Sequence, residues 1–129
     1  VSDPTNAVQA AIYQALSSPS PAMDVYDNVP AGAGFPYISI DAHEAVQADY
    51  IGERMDIRYL YLTVWSDKAG KKEVQSLMAR IDEALHRQKL PLTGDAKIVS
   101  LDVTRKRAVM DADGETYMGK VTLKIRTTH

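Results

Sequence analysis

The chain contains no cysteine. Disulfides, thiolate nucleophiles and cysteine-held zinc or iron–sulfur centres are therefore excluded. No apolar run approaches the ~20 residues that a membrane-spanning helix needs, so no membrane partner is expected. Cations are not in excess: 15 Lys and Arg stand against 17 Asp and Glu, a net charge of −2. Affinity for nucleic acid comes mainly from cations neutralising phosphates. A dedicated nucleic-acid-binding domain is not expected, although local basic patches remain open. The glycines build no phosphate cradle, because Gly32-Ala33-Gly34 runs into Phe35-Pro36 rather than into Gly-Lys-Ser and a helix. There is no Gly-x-Ser-x-Gly elbow. His43, His86 and His129 lie far apart, with no two spaced four residues apart on a helix, so no metal site is predicted. The first six residues carry neither the basic nor the apolar region of a secretory signal. No catalytic residue and no cofactor follow from these patterns, and an enzyme is not expected.

What is present is an ordinary globular composition, 45% hydrophobic and 25% charged, over 129 residues. That length fits one domain, 1–129, and buries roughly two thirds of its unfolded surface without metal or disulfide. Asp3 and Pro4 suit a helix start, Asp3 as acceptor for free N–H groups and Pro4 in the first turn. Val8, Ala11, Ile12, Ala15 and Leu16 follow at helical spacing. Ser17-Ser18-Pro19-Ser20-Pro21 is expected to end that helix. Residues 25–29 read as a short strand and 35–40 as a second, with Pro36 at its start or edge. Residues 43–52 read as a connecting loop.

Arg54 to Ser66 carries the strongest strand pattern. Met55, Ile57, Tyr59, Tyr61, Thr63 and Trp65 share one face; Arg54, Asp56 and Arg58 begin the other, which Leu60, Leu62 and Val64 continue. A strand that is apolar on both faces needs cover on both sides. Residues 70–89 predict a helix with Val74, Leu77, Met78, Ile81 and Leu85 inward, an exposed Glu83–Arg87 pair, and Pro91 and Gly94 beyond its end. Lys71 and Lys72 oppose its dipole slightly. The last third reads as a hairpin. Val99, Leu101 and Val103 alternate with Ser100, Asp102 and Thr104, and residues 111–115 turn through Asp113-Gly114. Tyr117, Gly119, Val121, Leu123 and Ile125 return on one face, with Met118, Lys120, Thr122, Lys124 and Arg126 on the other. The acidic turn lacks the ligand spacing of a calcium loop. The order of elements predicts an α+β fold, a single antiparallel or mixed sheet with two main helices packed on one face.

Two surfaces stand out. Tyr59, Tyr61 and Trp65 join apolar area to polar handles, as residues at protein interfaces do. Either a neighbouring subunit covers them, or residues 43–52 or the first helix fold over them. Arg105-Lys106-Arg107, with Lys120, Lys124 and Arg126, forms either a patch for DNA phosphate or an acidic partner, or a solvated strand face whose charges deter edge pairing.

Several segments taken together are similar to a known family. Ala11-Ile12-Tyr13-Gln14-Ala15-Leu16 precedes Val25-Tyr26-Asp27-Asn28-Val29-Pro30, then Phe35-Pro36-Tyr37-Ile38 and Leu62-Thr63-Val64-Trp65-Ser66. Gly70-Lys71-Lys72-Glu73-Val74 then opens an amphipathic helix that ends in Arg80-Ile81-Asp82-Glu83-Ala84-Leu85. In order and spacing this series resembles the small tail-completion proteins of long-tailed bacteriophages, prophages and phage-like gene transfer agents. The resemblance implies a structural virion protein, a tail terminator. Such a protein forms a homo-oligomeric ring, typically a hexamer, on the head-facing end of the tail. It stops polymerisation of the tail tube protein, joins the head connector, and lets double-stranded DNA pass through its lumen. It implies a place in the tail of a virion or phage-like particle assembled in the bacterial cytoplasm. On that reading Tyr59, Tyr61 and Trp65 are expected at the subunit interface and Lys120, Lys124 and Arg126 facing lumen or DNA. Residues 43–52 and the hairpin tip 111–115 would make contacts along the tail axis. Other readings are another head–tail connector or tail tube subunit, and a small-ligand enzyme with a pocket between sheet and helices.

Overall fold

A computed structural model describes residues 3–17, 23–49, 52–111 and 114–129. The elements run α1 (Thr5–Ser17), β1 (Val25–Tyr26), β2 (Tyr37–Gln47), β3 (Met55–Ser66), α2 (Lys72–Leu85), β4 (Lys97–Met110) and β5 (Tyr117–Thr128). The fold is α+β, with two helices and one five-stranded mixed sheet in the order β1-β2-β3-β5-β4. Only β1 and β2 run parallel; every other neighbouring pair is antiparallel. Residues 18–22 and 112–113 lie outside the described residues, and with them the proline-rich end of α1 and part of the hairpin tip.

Local chemistry sets the helix ends. The Asp3 carboxylate accepts the Thr5 N–H at 3.1 Å, and the Val8 N–H reaches the Pro4 carbonyl at 2.9 Å, so α1 begins where its cap predicts. α2 is shorter than its apolar periodicity. Its Glu73 accepts from Ser66 Oγ at 2.6 Å and pairs with Lys68 at 2.9 Å, an acidic group where the dipole favours one. At the far end Arg87 turns to φ +57°. Its N–H donates to Leu101 O at 2.7 Å, and His86 Nδ1 accepts from Val103 N–H at 3.0 Å. Strand β4 thus captures the chain before residue 89, and Arg87 reaches Asp102 at 3.6 Å rather than continuing a helical pair with Glu83.

Three further expectations are corrected. Residues 43–47 are strand, not loop: β2 runs on to Gln47, past an irregularity at Asp41, paired with β3 along its length. The first strand stops at Tyr26. In β4, irregularities at Val99 and Thr104 shift the alternation. Ile98 takes the inward place expected of Val99, which is 57% exposed.

The core joins Val8, Ile12 and Leu16 of α1, Val74, Met78, Ile81 and Leu85 of α2, Leu60, Leu62 and Val64 of β3, and Val121, Leu123 and Ile125 of β5. α2 lies close to β5 at Gly119, where an added Cβ would stand 2.9 Å from Met78 Sδ. Burial of these side chains supplies the main driving force for folding.

Candidate functional site

Strand register places the two residue sets expected to be functional on one surface. Residues directly opposite in an antiparallel pair point to the same side of a sheet. Tyr59 stands across from Lys124, Ile57 from Arg126, Thr63 from Lys120 and Trp65 from Met118. The aromatic row and the three cations therefore share one face, interleaved across β3 and β5. None of Tyr59, Tyr61 and Trp65 belongs to the core that both helices share, and all three are half-buried. β2 adds Glu44 opposite Tyr59 and Ser39 opposite Thr63. β4 adds Arg105 opposite Thr122 and Arg107 opposite Lys120. The irregularity at Thr104 brings Arg105 and Arg107 to this open face, while Lys106 turns to the other side and pairs with Asp82 of α2.

The open face divides by chemistry. At one end Trp65 stacks on Tyr37, their ring centres 6.4 Å apart, and Tyr37 meets Phe35 at 5.3 Å and Tyr26 at 5.9 Å. Trp65 Nε1 donates to Ser39 Oγ at 3.1 Å. That hydroxyl donates to Asp41 at 2.8 Å, and Thr63 Oγ1 donates to the second Asp41 oxygen. The Tyr61 hydroxyl donates to Glu44 at 3.3 Å; desolvation and then the Glu44 charge push its phenol above the usual value. Toward the centre a groove of about 350 Å³ is lined by Asp41, Tyr61, Thr63, Arg105, Arg107 and Lys120. Cations dominate its β4–β5 side.

Sequence reading missed a second polar constellation. Arg58 shares the inward face of β3 with Leu60, Leu62 and Val64, and its side chain is fully buried. Nε donates to Thr127 Oγ1 at 3.0 Å, Nη1 to Thr5 Oγ1 at 2.8 Å, and Nη2 to Asp3 at 2.7 Å and Asp56 at 3.3 Å. His43 Nε2 stands 3.4 Å from Nη1, and His129 Nδ1 lies 3.8 Å from Asp56. The Thr5 hydroxyl and then Arg58 lower the Asp3 carboxyl to about 2. Burial, and then the Arg58 charge, push His43 below its ordinary value. The signal was in the sequence: Asp56 and Arg58 are in phase with the strand's most apolar stripe.

The lowered His43 pKa has a measurable consequence. The unfolded chain binds the His43 proton near 6.5, whereas the folded chain binds it only at lower pH. The resulting stability is complete above about pH 6.5 and falls as the pH drops through that value. Urea midpoints between about pH 5 and 7 should decline on acidification, and His43→Gln should flatten that slope. An unchanged slope in the variant would assign it to another group.

Among the described residues no group of three or more His, Asp or Glu side chains is arranged to hold a metal. The perturbed groups do not converge: Asp3 and His43 surround Arg58, Tyr61 lies on the open face, Asp49 follows β2, and Lys68 and Glu73 sit at the start of α2. No helix of the described chain is long and apolar enough to cross a membrane.

The family model for tail completion protein gp17 matches residues 6–128. No curated protein sequence matches the chain. Among solved structures, a chain from the virion of a native gene transfer agent particle superposes with a TM-score of 0.89, covering 100% of both chains at 22% identity. At that identity the likeness is one of fold.

Proposed function

The chain belongs to the tail completion protein gp17 family, and from that membership we propose that it is a ring-forming tail terminator. It is a structural protein of a phage tail or phage-like particle. In the proposed role it acts as one terminator domain spanning 1–129, forms a ring of six subunits, and caps the head-facing end of the tail tube. One ring face copies the tube-subunit interface and binds the last tube ring. The other lacks the complementary patch, so head-to-tail growth becomes finite there and the head connector docks instead. The particle is built in the bacterial cytoplasm, and the role requires neither cofactor nor catalysis.

The observation that carries this reading is the open sheet face, aromatic along β3 and cationic along β5 and β4, outside the core of its own chain. Turned toward the ring axis, it sets Lys120, Lys124 and Arg126 along a lumen that passes double-stranded DNA. Tyr59, Tyr61 and Trp65 then flank the contact with the next subunit. Native mass spectrometry across a concentration series tests the ring, and gold labelling of intact particles tests its place. A six-subunit species, and label confined to the head-proximal end of the tail, are expected. Label along the whole tube would make the chain a tube subunit instead.

The lumen assignment carries its own expected result. Replacing Lys120, Lys124 and Arg126 together by Glu should leave ring mass unchanged. It should lower the yield of DNA-delivering particles by roughly tenfold, through repulsion of phosphate in a narrow charged passage. Unchanged delivery would remove these residues from the lumen.

A further inference from the structure

The two margins of the sheet remain open in a matched way. β1 pairs with β2 only at Ile38 and Ser39, so beyond Ser39 no described strand covers the outer margin of β2. Residues 41–47 there, Asp-Ala-His-Glu-Ala-Val-Gln, are exposed except for the half-buried His43. On the opposite margin, the end of α2 occupies β4 at Leu101 and Val103, where Arg87 N–H and His86 Nδ1 bond to the outward backbone groups. Past that point residues 104–110, Thr-Arg-Lys-Arg-Ala-Val-Met, run along an edge with no described strand beyond it. The two free stretches are equal in length, one carrying Asp41 and Glu44, the other Arg105, Lys106 and Arg107. Each also bears an exposed apolar residue, Val46 at 53% and Met110 at 54%.

We propose that the acidic edge of β2 in one copy pairs with the basic edge of β4 in the next, making one sheet continuous around the ring. This rests on the ring reading above and specifies its seam. Exposed strand edges carry unpaired N–H and C=O groups ready to pair with another chain. In every copy β2 and β4 run in opposite directions, since β2, β3, β5 and β4 alternate. Copies related by rotation about the ring axis therefore meet as an antiparallel pair. Full overlap of 41–47 with 104–110 sets Glu44 across from Arg107. Both side chains point to the open face, Glu44 beside Tyr59 and Arg107 beside Lys120. The same charges oppose the alternatives: β4 against β4 would stack three cations on three, and β2 against β2 would set carboxylates together. The pairing is thus heterologous and closes a ring instead of a two-fold dimer. Tyr61, which holds Glu44, lies one strand behind the seam.

The test uses charge reversal on each edge, with native mass spectrometry of the full chain alone and mixed with tail tubes of its particle. Glu44→Arg leaves both edges basic, and Arg105→Glu with Arg107→Glu leaves both acidic enough to repel. Each variant alone should need about tenfold or more protein to assemble. An equimolar mixture should recover rings with the two variants alternating, equal in number. Circular dichroism spectra matching the unaltered chain would confirm that each variant folds. Variants that assemble as readily as the unaltered chain, or a mixture no better than its parts, overturn the edge pairing and leave the ring reading standing. An unaltered chain that stays monomeric both alone and on tubes overturns the ring reading itself.

Discussion

Arg58→Ala should destabilise the fold by about 3–5 kcal/mol, the usual range when one partner of a buried ion pair is removed. The guanidinium is fully buried and donates to Thr127, Thr5, Asp3 and Asp56. Asp56, itself 6% exposed, would keep its place in the interior without its cation. The truncation also empties the space of a long side chain at the end of the core, and α1 loses its tie to β3 through Thr5 and Asp3. Against a typical domain stability of about 5–15 kcal/mol this is a large fraction, so the urea midpoint should fall steeply. Thr127→Val leaves the buried Nε without its acceptor and should cost less, about 1.5–3 kcal/mol. A loss below about 1 kcal/mol for Arg58→Ala would mean that water replaces the guanidinium. The acid limb offers an independent check. Asp3 titrates near 2 because the Thr5 hydroxyl and then Arg58 favour its charged form. Its lowered pKa contributes stability above about 4 that is lost as the pH falls through 2. In the alanine variant that loss should be smaller and complete at a higher pH, because Thr5 alone then holds the carboxyl down.

Much of this architecture was legible in the residues, because period and cap chemistry act locally. The stripe of α1, both faces of β3 and the inward row of β5 all stand where apolar alternation puts them. What was not legible came from contacts between distant segments. The end of α2 depends on Arg87 and His86 meeting β4, and the 70–89 stripe gives no hint of that capture. β2 runs through 43–47 because β3 offers a full-length partner, although Asp41-Ala42-His43-Glu44-Ala45 has weak strand propensity by itself. The shift at Thr104 is likewise a property of the pairing, and it decides that Arg105 and Arg107, not Lys106, face the open side.

The candidate surface shows the same division. Alternation assigns Tyr59, Tyr61 and Trp65 to one face of β3, and Lys120, Lys124 and Arg126 to one face of β5. Only register says that these faces are the same, because a slip of one residue would have sent either row to the opposite side. The consequence is functional. The row proposed for a neighbouring subunit and the row proposed for DNA thus share one face. In the proposed ring that presents this face inward, the cations would look into the lumen, with the aromatic row on β3, one strand inside the β2 margin.

If the aromatic row reaches the subunit contact as well as the strand edges, Trp65→Ala should abolish the ring at micromolar concentration while leaving a folded subunit. Among the described residues Trp65 stacks on Tyr37 and donates a hydrogen bond to Ser39. Loss of that stack costs roughly 0.5–1.5 kcal/mol beyond the area lost. The face is half-solvated, so the isolated subunit should remain folded with a modestly lower melting temperature. Assembly is more sensitive, because a tryptophan anchored at an interface typically contributes about 2 kcal/mol or more. That corresponds to an affinity loss of roughly thirtyfold at each contact. In a closed heterologous ring each seam carries one such contact, and every seam is weakened at once. The assembly midpoint should therefore shift far more than one contact implies. Tyr61→Phe provides the graded companion: it keeps the ring and removes only the hydroxyl that holds Glu44, so its shift should be smaller. Light scattering over a dilution series reads both variants, with circular dichroism to follow folding. If the ring survives Trp65→Ala while the melting temperature falls, the aromatic row serves packing within one chain, and the subunit contact is confined to the strand edges.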